Sequence, residues 1–109
     1  IWTGQPAIPA NKWFAVIIRE SNLNGGTWKM WLRVQGESTR YVSIVNSPSM
    51  YSSHAPAHNR LVLGGGHTVP YESFEGHIAQ AWLYNTPLSD TECDDIMSYL
   101  ERTYPTLVT

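Results

Sequence analysis

The sequence predicts an all-β, antiparallel domain closed by one short C-terminal helix, and three observations carry that expectation. Short apolar runs recur between clusters of Gly, Asn, Pro and Ser, as strands separated by turns do. Residues 28 to 34 alternate strictly, with Trp28, Met30, Leu32 and Val34 on one side and Lys29, Trp31 and Arg33 on the other. Past Ser89 the apolar spacing changes from two to that of a helix.

Residues 13 to 19 are apolar at both parities, so this strand is expected to be central, with both faces covered. Glu20 to Gly26 follows as a hairpin connection, its Asn-Gly and Gly-Gly pairs suited to positive φ. The strand at 28 to 34 should turn one face to the core and the other, bearing Trp31, to water. Further strands are expected at Arg40 to Val45, Asn59 to Leu63 and Ile78 to Tyr84, with a long Ser-, Pro- and His-rich loop from Asn46 to His58. Loops of that length in a compact domain are usually functional or mobile. In the helix, Ser89 and Glu92 form a capping box, and Leu88 and Cys93 can close a hydrophobic staple around it. Cys93, Ile96, Met97, Leu100 and Tyr104 then form one stripe until Pro105 stops the helix.

The totals narrow the class. With 109 residues, 42% of them hydrophobic and 15% charged, the chain suits one folded domain and not a disordered segment. A net charge of -2 and the lack of any Lys or Arg run argue against nucleic acid as a partner. No stretch approaches a membrane span, so no membrane insertion is expected, and the start at Ile1 suggests processing or an excerpt. The single Cys93 excludes an internal disulfide and leaves the redox compartment open. Five Trp and six Tyr exceed what a core of this size needs, which leaves rings for contacts.

The segment from Phe74-Glu75-Gly76-His77-Ile78-Ala79-Gln80 through Trp82-Leu83-Tyr84-Asn85 to Leu88-Ser89-Asp90-Thr91-Glu92, then Ser98-Tyr99-Leu100 and Tyr104, resembles the closing signature of laminin-G-like, concanavalin A-like domains. That family ends in Phe-x-Gly-x-Ile-Ala-Glu, an aliphatic strand, Tyr-Asn-Arg, Leu-Ser-x-x-Glu and a short helix. Lys12-Trp13, Trp28-Lys29-Met30-Trp31 and Leu61-Val62-Leu63-Gly64 resemble its middle strands, so the likeness covers residues 12 to 104. Gln80 and Thr86-Pro87 depart from its usual Glu and Arg-Ala. The resemblance implies a jelly-roll β-sandwich, a single domain over 1–109 that is the C-terminal portion of a longer chain or is covered at its edge by a partner. It implies extracellular or virion-surface binding of glycans or proteins, and no reaction.

Individual constellations agree with a non-catalytic reading. No strand carries the Glu-x-Asp-x-Glu spacing of glucanases on that fold, and no Ser, His and Asp set has a nucleophile motif. Asp90, Asp94 and Asp95 lie at the helix start, where carboxylates meet the helix dipole favourably. Glu20, Asn22, Asn24 and Gly25 repeat half of a calcium loop, but the twelfth position is Trp31 where a bidentate Glu is required. A hairpin turn is the better reading. The resemblance leaves room for a weak calcium site at Glu20 or Glu72, and otherwise no cofactor is expected. The four histidines, His54, His58, His67 and His77, lack a Cys or Asp companion for a metal and read as loop residues.

Trp31, Tyr41, Tyr51 and Tyr71 are the aromatics a core demands least. Sugars stack flat C–H faces on such rings, with His, Asn or Gln as directional partners. The expected ligand-binding residues are therefore Trp31, Tyr51, His54, His58, His67 and Tyr71, on a module that binds a glycan or an extracellular protein. The alternative is a structural subunit of an extracellular or viral assembly, self-associating through an open sheet edge that buries the same rings.

Overall fold

In the computed structural model, residues 8–20, 27–46 and 74–108 are described. They form a three-stranded antiparallel meander, β1 (Phe14–Glu20), β2 (Thr27–Val34) and β3 (Tyr41–Asn46), and one helix, α1 (Asp90–Thr103), followed by a 3-10 turn at Pro105–Val108. The sheet order is β1-β2-β3, with Val16 opposite Leu32, Ile17 opposite Trp31 and Val42 opposite Trp31.

This architecture corrects the jelly-roll sandwich and the concanavalin A-like fold expected from the sequence. The described residues hold one sheet, and the layer against it is α1, not a second sheet. Residues 78–84, expected to be a strand, follow an irregular path along which each is exposed. Their composition favours a strand, but β propensity acts through cross-strand neighbours, and among the described residues none is hydrogen-bonded to them as a ladder. The expected strand at Asn59 to Leu63 lies outside the described residues.

The order of the meander also corrects the choice of central strand. β2 is central, whereas β1 pairs only with β2 in this sheet, and its Val16 and Ile18 are exposed. Having apolar residues at both parities did not place β1 in the middle, because hairpin connectivity puts the second of three consecutive strands there. The register keeps Glu20 opposite Trp28, consistent with a hairpin whose connecting residues lie outside the described set.

From β2 the chain reverses through a turn closed by the Glu37 amide donating to the Val34 carbonyl at 3.1 Å. Gly36 sits at φ +89°, a conformation that strains any residue with a Cβ. The Gln35 amide donates to the Trp13 carbonyl at 2.9 Å and the Gln35 side chain accepts from the Trp13 amide at 3.1 Å, tying this turn to the start of β1.

Two apolar clusters divide at the sheet. On one face Met30, Leu32 and Val34 are buried with Phe14 and Tyr41 against them. On the other, Trp31 is buried with Cys93, Met97 and Leu100 of α1 and Leu107 of the 3-10 turn, flanked by Ala15, Ile17, Leu88, Ile96 and Tyr104. Each fully buried Met or Leu side chain contributes roughly 1.5 to 3 kcal/mol, so this helix-on-sheet cluster is the larger stabilising unit.

The helix begins where its sequence predicts. Ser89 is the N-cap: its hydroxyl accepts from the Glu92 amide at 3.1 Å, and the Glu92 carboxylate accepts from the Ser89 amide at 3.0 Å. The Ser89 amide first, and then the Ser89 hydroxyl, hold the Glu92 carboxyl below its usual pKa. Leu88, just before the cap, packs on the cluster that contains Cys93. The helix ends before Pro105, with the Tyr104 amide donating to the Leu100 carbonyl at 2.8 Å.

Polar pairs border the apolar stripe and fix the helix on the sheet. Asp90 accepts from Arg19 and, at 2.6 Å, from Lys29. Glu101 accepts from Arg40, whose Nε lies at 3.0 Å, and Arg33 Nε lies 3.6 Å from the same carboxylate. Ser98 Oγ accepts from Arg40 Nη2 at 2.8 Å. Four of the chain's seven basic residues thus face helix acids. Because Arg33 is buried, its pairing with Glu101 offsets part of the cost of taking its charge out of water.

Candidate functional site

Trp31, expected on a wet face for stacking on a ligand, is instead 1% exposed beneath α1. Its indole Nε1 donates to Asp94 Oδ1 at 3.0 Å, and Arg19 and Lys29 lie over its ring at 5.3 and 4.9 Å from the centroid. The alternation of β2 was legible, but its apparently polar side is the helix-facing side: Lys29 and Arg33 reach past the tryptophan to the helix acids. Trp31 is a core residue, and no ligand can stack on it in this arrangement. Asp90 and Asp94, expected as helix-start carboxylates, also bind the sheet. The Lys29 ammonium and then the Arg19 guanidinium hold the Asp90 carboxyl below its usual range.

Tyr51, His54, His58, His67 and Tyr71 lie outside the described residues, as does Glu72; of Glu20 only the backbone at the end of β1 is described. Among the described residues no group of three or more His, Cys, Asp or Glu side chains is placed to hold a metal ion, and no helix is long and apolar enough to cross a membrane. Tyr41 is partly buried against the Met30, Leu32 and Val34 cluster.

The described residues bring a different set of aromatics together. Trp82 and Tyr84, two residues apart on the irregular segment, meet Asp95, Ile96 and Tyr99 of α1 around an open groove of about 370 Å³. Asp95 and Tyr99 are one helical turn apart and so share a face, turned away from the Cys93, Met97 and Leu100 stripe. Ile96 is partly buried against the core cluster, which makes it the fixed floor of the groove. The Trp82 and Tyr99 rings stand edge to face, with centroids 6.2 Å apart and planes at 64°. That is a favoured aromatic arrangement. Both remain wet, Trp82 at 49% and Tyr99 at 44% exposure, and Tyr84 is exposed as well.

Exposed rings held against a rigid helix suit a ligand that has both apolar faces and polar edges. The volume lies at the lower end of the range for small-molecule sites. A second hollow of about 150 Å³, lined by Leu32, Val34, Glu37, Thr39, Arg40 and Tyr41, is too small for such a ligand. Among the described residues Asp95 is the only carboxylate lining the groove, and the neighbouring Asp94 is turned to Trp31.

Two sequence signals could have found the groove. Tyr99 falls off the amphipathic stripe of α1, and an aromatic on the solvent side of such a helix has no core to explain it. Trp82 and Tyr84 share a parity in a segment whose other parity carries Leu83, which is 76% exposed. The apolar run from Ile78 to Tyr84 reads as a strand, which hides this pairing with the helix. Comparison with protein families, with curated proteins and with solved structures found no match for this chain.

Proposed function

We propose that this chain is a non-catalytic recognition module that binds a glycan at the groove formed by Trp82, Tyr84 and Tyr99. The supporting observation is that the half-exposed rings of Trp82 and, on the helix, Tyr99 meet edge to face, with Tyr84 and the Asp95 carboxylate in the same lining. A pyranose ring stacks its C–H face on Trp82 or Tyr99, and the Asp95 carboxylate and tyrosine hydroxyls take its hydroxyl groups.

The test is a glycan array followed by calorimetric titration of the best oligosaccharide. Trp82→Ala and Tyr99→Ala should each weaken binding by about tenfold, the loss expected for one stacked ring, with the far-ultraviolet dichroism unchanged. Undiminished binding in both variants would remove the groove from consideration.

A second reading, a structural subunit that self-associates, draws on the sheet edges: Val16 and Ile18 of β1 and Val42 and Ile44 of β3 are exposed. Exposed apolar edge strands favour pairing between chains. Light scattering separates the readings, since a binding module keeps the mass of one chain and a building block polymerises.

A further inference from the structure

Resting on that reading of the groove, we propose that its glycan ligand carries a protonated amine, so that a de-N-acetylated amino sugar is preferred over neutral or N-acetylated sugars. The inference comes from an imbalance of charge along α1. Asp90 is compensated by Arg19 and Lys29, Asp94 by the Trp31 indole and Arg40, and Glu101 by Arg33 and Arg40. Asp95, in the groove, has no hydrogen bond or ion pair among the described residues. Arg19, Lys29, Arg33 and Arg40 are engaged by Asp90, Asp94 and Glu101 instead.

Other charges near the groove do not cancel Asp95. Glu92 lies one turn earlier, and among the described residues its carboxylate is engaged by the neutral Ser89 cap and no cation, so it adds to the negative potential. Arg102 lies seven residues further along α1, about 10 Å of helical rise, and forms no ion pair with Asp95 among the described residues. The rings act in the same sense. The faces of Trp82, Tyr84 and Tyr99 carry the negative side of an aromatic quadrupole, which attracts a cation within about 6 Å of the ring centre. Two rings at 64° to one another can present a face and an edge to one ligand, with the carboxylate beside them. An ammonium group on a sugar satisfies both features, whereas an acidic sugar is repelled and an acetamide gains nothing from the charge.

The experiment titrates the full chain with hexamers of glucosamine, N-acetylglucosamine and glucose, at a pH where the free amine is protonated. Binding is followed by calorimetry in low and high salt. The glucosamine hexamer should bind about tenfold more tightly than the other two, from one cation–π contact and one exposed ion pair. That preference should shrink in high salt, disappear in Asp95→Asn and persist in Asp95→Glu. Equal affinity for all three hexamers, or a preference that survives Asp95→Asn, would overturn the amine inference while leaving the groove a glycan site. Binding of none of the three would overturn both.

Discussion

Replacing Trp31 by Ala distinguishes a buried tryptophan from a ligand platform. The side chain is 1% exposed and lies between β2 and α1 in contact with the Cys93, Met97 and Leu100 cluster. Truncating a fully buried Trp to Ala costs about 3 to 5 kcal/mol through lost transfer energy and the cavity left behind. Loss of the indole N–H also leaves Asp94 with only the more distant Arg40, 3.8 Å away, which adds up to about 1 kcal/mol. A total near 4 kcal/mol is a large share of the roughly 5 to 15 kcal/mol that stabilises a domain of this size. With a urea dependence of about 1 to 2 kcal/mol per molar, the unfolding midpoint should fall by about 2 to 4 M. Trp31→Phe keeps an aromatic ring in the core but loses the N–H, and should cost about 1 to 2 kcal/mol. Leu83→Ala, at a site 76% exposed, is the control and should stay within about 0.5 kcal/mol of the parent. A loss below about 1 kcal/mol for Trp31→Ala would place the ring in solvent and refute the packing described here.

Two further expectations concern single groups. Asp90 has a lowered pKa because Lys29 and Arg19 bind its charged form, so its contribution to stability is present above the unfolded carboxylate value of about 3.9 and is lost as pH falls through the lower folded value. Urea midpoints of the parent and Asp90→Asn should therefore differ at pH 6 and begin to converge only as pH falls below about 4; a gap that stays constant on further acidification would disprove the pairing. Cys93 is buried, and burial pushes its thiol pKa up, so alkylation by iodoacetamide at pH 8 should be slow in the native protein and rapid in denaturant. Fast native labelling would mean that α1 does not stay docked.

Local signals in the sequence proved the most reliable. The capping box at Ser89 and Glu92, the stop at Pro105 and the period-two alternation of β2 each depend on neighbours within a few residues, and each is present. Which layer covers a strand depends on distant partners. The alternation of Lys29, Trp31 and Arg33 looks like a solvent face until the helix acids Asp90, Asp94 and Glu101 are set opposite it. For the same reason residues 78–84 resemble a strand in composition yet take an irregular path. The groove was only half legible: Tyr99 stood off its helix stripe, but its meeting with Trp82, 17 positions earlier in the chain, is a tertiary fact.

The most direct test of glycan recognition at the groove follows the indole N–H resonances of the five tryptophans in the nitrogen-15-labelled chain as an oligosaccharide is added. Assignment comes from single Trp→Phe variants. The Trp82 signal should move progressively with ligand while the buried Trp31 signal stays in place. A shift of Trp31 without one of Trp82, or saturable binding that leaves Trp82 unmoved, would contradict the assignment of recognition to this groove.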